Sequence, residues 1–188
     1  MDVSVNFAHP VACYDNFVNK CVGRFCHVEV SLKVDIALLR FLLDTNLDRA
    51  FSPEICQNVL NQTETMSGEV VVAFYILFGG IYSLRFLNED DEDFYKPPAA
   101  PVYECVTLPV EDPNELIAWN IRHLGRPYDI PRALLVMTPF SFPNKEAPEK
   151  FFCSQIVPYM LSENNVATTE EDIDHMKPDA VYEWLKCL

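Results

Sequence analysis

The pair Gly79-Gly80 is the tightest constraint on this chain. It is preceded by a β-branched, apolar run from Glu69 to Tyr75 and followed by a second such run, Ile81 to Leu87. Two strand-like runs joined by glycines read as a hairpin, because glycine supplies the positive φ of tight turns without steric cost. Only five Gly stand against fourteen Pro in 188 residues, so the remaining loops are expected to be stiff rather than flexible. A hairpin commits the chain to an antiparallel sheet.

Other segments fill in around it. Phe25 to Leu32 alternates with period two, putting Cys26, Val28, Val30 and Leu32 on one face and Phe25, His27, Glu29 and Ser31 on the other. Val102 to Val110 is a further strand. Helical spacing runs from Asp35 to Leu43, and from Pro53 to Leu60 with Ser52 as N-cap. Asp112 caps a helix from Pro113 to about Leu124, with proline at its first position and Gly125 at its end. A helix begins at Cys153 after a Pro-rich loop, and a short one, Pro178 to Lys186, closes the chain. Residues 1–20 read as irregular. The acidic runs Glu89 to Asp93 and Glu170 to Asp172, and the Pro97 to Pro101 stretch, read as solvated loops. With no repeat and no linker, the expectation is one domain over 1–188, of α+β class, with a small antiparallel sheet.

Charge and cysteine usage narrow the function. A formal net charge of −14 repels phosphate backbones, so nucleic acid is not an expected partner, whereas a basic protein surface is. The seven cysteines, at 13, 21, 26, 56, 105, 153 and 187, are scattered and odd in number, which is neither a disulfide framework nor a zinc pattern. No metal or organic cofactor is implied. The first ten residues lack a signal-peptide pattern, and the longest apolar run, Val70 to Phe78, is too short for a membrane span. A cytoplasmic protein without a transmembrane segment is the expectation.

Two elements carry candidate chemistry. In Phe151-Phe152-Cys153-Ser154-Gln155-Ile156-Val157 a thiol stands at a helix start, where free N–H groups and the helix dipole favour a thiolate and can hold an oxyanion. The plainer reading is a core cysteine acting as a small hydrophobe. Pro158 is expected to kink the first turns. Among the four histidines, His123 sits late in its helix, where a cation suits the C-terminal dipole end, and reads as structural. His9 and His175 fall in loops. His27 alone is on a strand, with Glu29 on the same face about 7 Å further along, where a carboxylate can orient an imidazole. A half-exposed polar strand face is the alternative.

The order HVEVSL early, GRPYDI in the middle and FFCSQIV late resembles the circularly permuted branch of the NlpC/P60 papain-like superfamily, which includes bacterial YiiX-like proteins and poxvirus, iridovirus and virophage members. There the histidine strand precedes the cysteine helix. The likeness also takes in VYECVTLPV, NELIAWNI and KPDAVYEWL, and the HVE and CSQ forms are closer to the viral members. It implies a permuted papain-like fold, with a cysteine helix packed on an antiparallel sheet and the histidine facing the thiol. Cys153 carries over as nucleophile and His27 as general base. Glu29 is the expected orienting residue, with Ser83 or Tyr82 on a neighbouring strand as rivals. Tyr128 and Gln155 are expected in the walls of an open substrate groove. Residues 33–67, after the histidine strand, depart from the bacterial pattern as a helical insertion.

The implied activity is hydrolysis of peptide, isopeptide or amide bonds through a thioacyl intermediate, on a protein or peptide substrate that is basic or ubiquitin-like. A lipid thioesterase or acyltransferase of the same fold is the alternative, and a non-catalytic interaction module is a third. A viral member would act in the host cytoplasm or the virion.

Overall fold

A computed structural model describes residues 1–9, 24–25, 27–76, 79–87, 103–136, 149–169 and 173–188. Its five strands among these residues are β1 (Asp2–Ala8), β2 (His27–Asp35), β3 (Glu69–Ile76), β4 (Tyr82–Leu87) and β5 (Tyr103–Pro109). They form one sheet in the order β4-β3-β2-β1-β5 with every neighbouring pair antiparallel. The hairpin read from Gly79-Gly80 is there: Ile76 pairs with Tyr82, and Gly79 takes φ +73°. The α+β class and the antiparallel sheet therefore stand.

The first correction concerns the N-terminus, expected to be irregular. Asp2–Ala8 lies between β2 and β5, with Val5 opposite Val30 on one side and Val106 on the other. Its alternation of Val3, Val5 and Phe7, all buried, is short, but two neighbouring strands satisfy its backbone on both edges. Burying Phe7 contributes about 1.5–3 kcal/mol toward holding this terminal strand in place.

Six α-helices are present among the described residues: α1 (Ile36–Asn46), α2 (Pro53–Gln62), α3 (Pro113–His123), α4 (Ile130–Val136), α5 (Cys153–Glu163) and α6 (Pro178–Lys186). The apolar sheet face (Val3, Val28, Val30, Val72) joins Leu39, Ile117, Val157 and Val181 of the helices in one buried cluster. Asp35 caps α1, accepting hydrogen bonds from the N–H groups of Ala37 and Leu38 at 2.8 and 3.2 Å. Asp112 caps α3 as expected, accepting from Glu115 N–H at 3.0 Å. Ser52 does occupy the N-cap position of α2, but its side chain makes no capping bond. Helices α1 and α2 both fall within the expected insertion. Helix α5 continues through Pro158, whose missing N–H leaves the Ser154 carbonyl without its intrahelical bond. Among the described residues, no helix is long and apolar enough to cross a membrane.

The second correction is α4, which stands where a Pro-rich loop was expected. Asp129 accepts a hydrogen bond from Arg132 N–H at 3.1 Å, and Pro131 falls in the first turn, where its missing N–H costs nothing. The acidic runs, the Pro97–Pro101 stretch and Cys13, Cys21 and Cys26 lie outside the described residues.

Candidate active site

Pairing between β2 and β3 begins only at Val30–Phe74, so the first residues of β2 have β1 on one side and no partner from β3 on the other. Helix α5 packs against β2, and its first residue is Cys153. The N-cap residue, Phe152, is extended and offers no capping side chain. The helix-start N–H groups are thus left for another acceptor. The backbone N–H groups of Ser154, inside the helix, and of Val28, on the strand, both hydrogen-bond the Cys153 sulfur. Two elements remote in sequence hold one thiol between them.

The imidazole of His27 faces that thiol. Burial works against charge on His27, yet the neighbouring Cys153 thiol and Glu29 carboxylate outweigh this and raise its pKa from 6.5 to about 9. For Cys153, burial again opposes ionisation. The contact with His27, its charge and the two N–H donors prevail and hold the thiol below its ordinary value. Each shift favours the same state, a thiolate beside an imidazolium. Tyr128 also hydrogen-bonds Cys153, and burial together with the neighbouring sulfur pushes its phenol well up, so it stays a neutral donor.

Glu29 lies on the histidine's face of β2, as the alternation predicts, and is 2 % exposed. Its Oε2 is 3.7 Å from His27 Nε2, beyond hydrogen-bond range. Its close partner is Arg85 on β4, whose Nη2 donates to both carboxylate oxygens at 2.8 and 2.9 Å. Sequence reading missed Arg85. The only available signal was that Arg85 falls on the same β4 face as Ser83, and a strand run alone does not say which strand lies two away. No family model, curated protein or solved structure matches this chain.

The remaining expected site residues divide. Tyr128 is held beside the thiol by its own backbone, donating to Gly80 O at 2.9 Å, while Asp129 N–H donates to Phe151 O at 2.8 Å and Phe151 N–H to Pro127 O at 3.3 Å. Gln155 is fully buried and is no groove wall, because it lies in the first turn of α5, where Cys153, Ser154 and Ile156 are buried with it. Tyr82 is also a core residue, its hydroxyl donating to Asn120 Oδ1 at 2.5 Å, since Tyr82 falls on the helix-covered face of β4. Ser83 donates to Ile81 O at 3.1 Å and makes no hydrogen bond to His27 or Glu29. The open groove is corrected too: Cys153 is 7 % exposed and the His27 side chain 12 %. Among the described residues the pair is enclosed, because the Tyr128 loop is drawn onto Phe151 beside it.

His123 is structural, as expected, but not as a cation. Burial, with Arg126 and Arg122 nearby, lowers it to about 4 against a hydrogen bond to Trp119 O. The neutral ring stacks on Trp119 with centroids 3.8 Å apart.

Proposed function

We propose that this chain is a cysteine hydrolase of permuted papain-like type, cleaving peptide, isopeptide or amide bonds with Cys153 as nucleophile and His27 as base. The observation that carries the reading is the buried Cys153–His27 pair at a helix start, in which each group biases the other toward thiolate and imidazolium. A core cysteine filling space has no use for a basic partner or for two N–H donors. The sheet-and-helix arrangement is compatible with the permuted fold that the HVE and CSQ motifs suggest.

In this reading the thiolate of Cys153 attacks the substrate carbonyl carbon, and the carbonyl π electrons move to oxygen. Helix-start N–H groups of Cys153 and Ser154 and the Tyr128 hydroxyl are the donors available to that oxyanion. Collapse expels the amine, which takes the proton carried by His27 and leaves a thioester on Cys153. Neutral His27 then removes a proton from water as it attacks the thioester, and the thiolate departs with the imidazolium restored.

A lipid acyl substrate is the second reading. Ile81, Ile130 and Leu134 are exposed large apolar residues on the segments that flank Tyr128, where an acyl chain could lie. Labelling with electrophiles built on a ubiquitin, a short peptide and a fatty acyl group tests both readings together. Covalent attachment of the first two at Cys153, lost in Cys153→Ala, is the expected result. Labelling by the acyl probe alone moves the assignment to lipids, and no labelling by any of them defeats the hydrolase reading.

A further inference from the structure

Arg85 reaches Glu29 from two strands away. In register, Ser31 of β2 faces Ala73 of β3, and Ala73 faces Arg85 of β4. Ala73 has almost no side chain to obstruct the crossing. The guanidinium passes over the Tyr75 ring, 4.9 Å from its centroid, and ends on both oxygens of Glu29. A larger residue at position 73 would close this path. The register thus delivers a cation to a carboxylate that is itself nearly inaccessible to water.

We infer that Arg85 is a positioning residue for this site: by holding Glu29 from across β3 it completes an alternating row of four charges, Cys153, His27, Glu29 and Arg85, that keeps the thiol ionised. This rests on the proposed roles of Cys153 and His27 and adds to them. In a poorly hydrated place a net charge on the row is costly. With thiolate, imidazolium, carboxylate and guanidinium all present, the row is neutral. Without Arg85 the row itself carries a net charge of −1, which burial penalises. The site relieves this by binding a proton. If the proton goes to Cys153, the thiolate is lost directly.

Among the described residues, the other titratable groups facing the row are Tyr75 beneath the guanidinium, Tyr128, a neutral donor to Cys153, and Asp129 beyond it. Asp129 is paired with Arg132, Nε to Oδ2 3.5 Å. None supplies the missing positive charge. Arg85 acts on the sulfur only through Glu29 and His27, so it touches no substrate.

The test is the pH dependence of Cys153 carboxamidomethylation by iodoacetamide in the full chain, mapped by mass spectrometry. Arg85→Met should move the midpoint to higher pH and, at any pH below both midpoints, slow the reaction by about tenfold for each unit moved. Arg85→Lys should restore most of the rate. The double variant Glu29→Gln/Arg85→Met, which strands no charge, should lie closer to wild type than Arg85→Met does. An unmoved midpoint in cooperatively melting Arg85→Met overturns the inference, as does a double variant slowed as far as the single. If Arg85→Met does not fold, the double variant decides alone: a midpoint near wild type supports the row, and one as high as that of His27→Ala overturns it. His27→Ala separates the two levels. A midpoint moved by His27→Ala but not by Arg85→Met removes only the role of Arg85, whereas one moved by neither removes the nucleophile–base reading itself.

Discussion

At the scale of single residues the pair Cys153–His27 makes the sharpest prediction. A thiol held below its usual value, partnered by an imidazole raised to about 9, is biased toward the thiolate. Cys153 should therefore be the first described cysteine to react with limiting iodoacetamide at pH 7, ahead of exposed Cys105 and Cys187. His27→Ala removes the cation, so the alkylation midpoint should rise toward that of an ordinary thiol while the melting curve changes little. Preferential reaction of Cys105 or Cys187 would remove the main support for a nucleophile. Tyr82 offers the opposite kind of prediction. Tyr82→Phe deletes the donor to buried Asn120 and should cost about 1–3 kcal/mol in denaturant unfolding, with the Cys153 alkylation profile unmoved. A profile shifted by that hydroxyl alone would return Tyr82 to the site.

At the scale of elements, helix starts distinguish sequence-legible from illegible features. Asp35→Ala removes two hydrogen bonds to the first turn of α1 and should destabilise by about 1 kcal/mol. Ser52→Ala, at a position that looks equally like a cap in sequence, should stay within about 0.5 kcal/mol, because its hydroxyl does no capping. Chemical denaturation of the two variants side by side checks the contrast. Helix α6 has a further structural role. Asp179 in its first turn accepts from the N–H groups of Arg24 and Phe25 at 2.9 and 2.8 Å, fixing the approach to His27. Asp179→Ala should lower Tm by about 2–4 °C per kcal/mol lost, and the strand entry it anchors should open in hydrogen exchange.

Across the whole molecule, Gly125 links the helical insertion to the site. It adopts φ +91°, and an added Cβ would stand 2.4 Å from Ser52 Cβ. Its N–H donates to Tyr82 O at 2.8 Å, three residues before Tyr128. Gly125→Ala should destabilise by at least about 1 kcal/mol, since neither the angle nor the space suits a side chain. It should also alter the Cys153 alkylation profile, because the loop carrying Tyr128 must shift. A destabilised variant with an unchanged profile would mean that the loop position is set from β4 and Phe151 alone.

The sequence by itself determined whatever depends on neighbours along the chain. Alternation put His27 and Glu29 on one face of a strand, Gly79-Gly80 made the hairpin, Asp112 and Pro113 began α3, and Phe152-Cys153 marked a helix start. These are local effects of side-chain period, φ preference and orphan N–H groups, so they are readable without a fold. Tertiary structure alone decided the rest. It drew Asp2–Ala8 into the sheet, where pairing on both edges outweighs a weak local pattern. It turned Gln155 and Tyr82 inward, and it enclosed a pair expected to lie in an open groove. It also set β4 two strands from β2, bringing Arg85 onto Glu29 through the gap left by Ala73. Strand order and register come from the joint burial of many side chains, and no short stretch of sequence contains them.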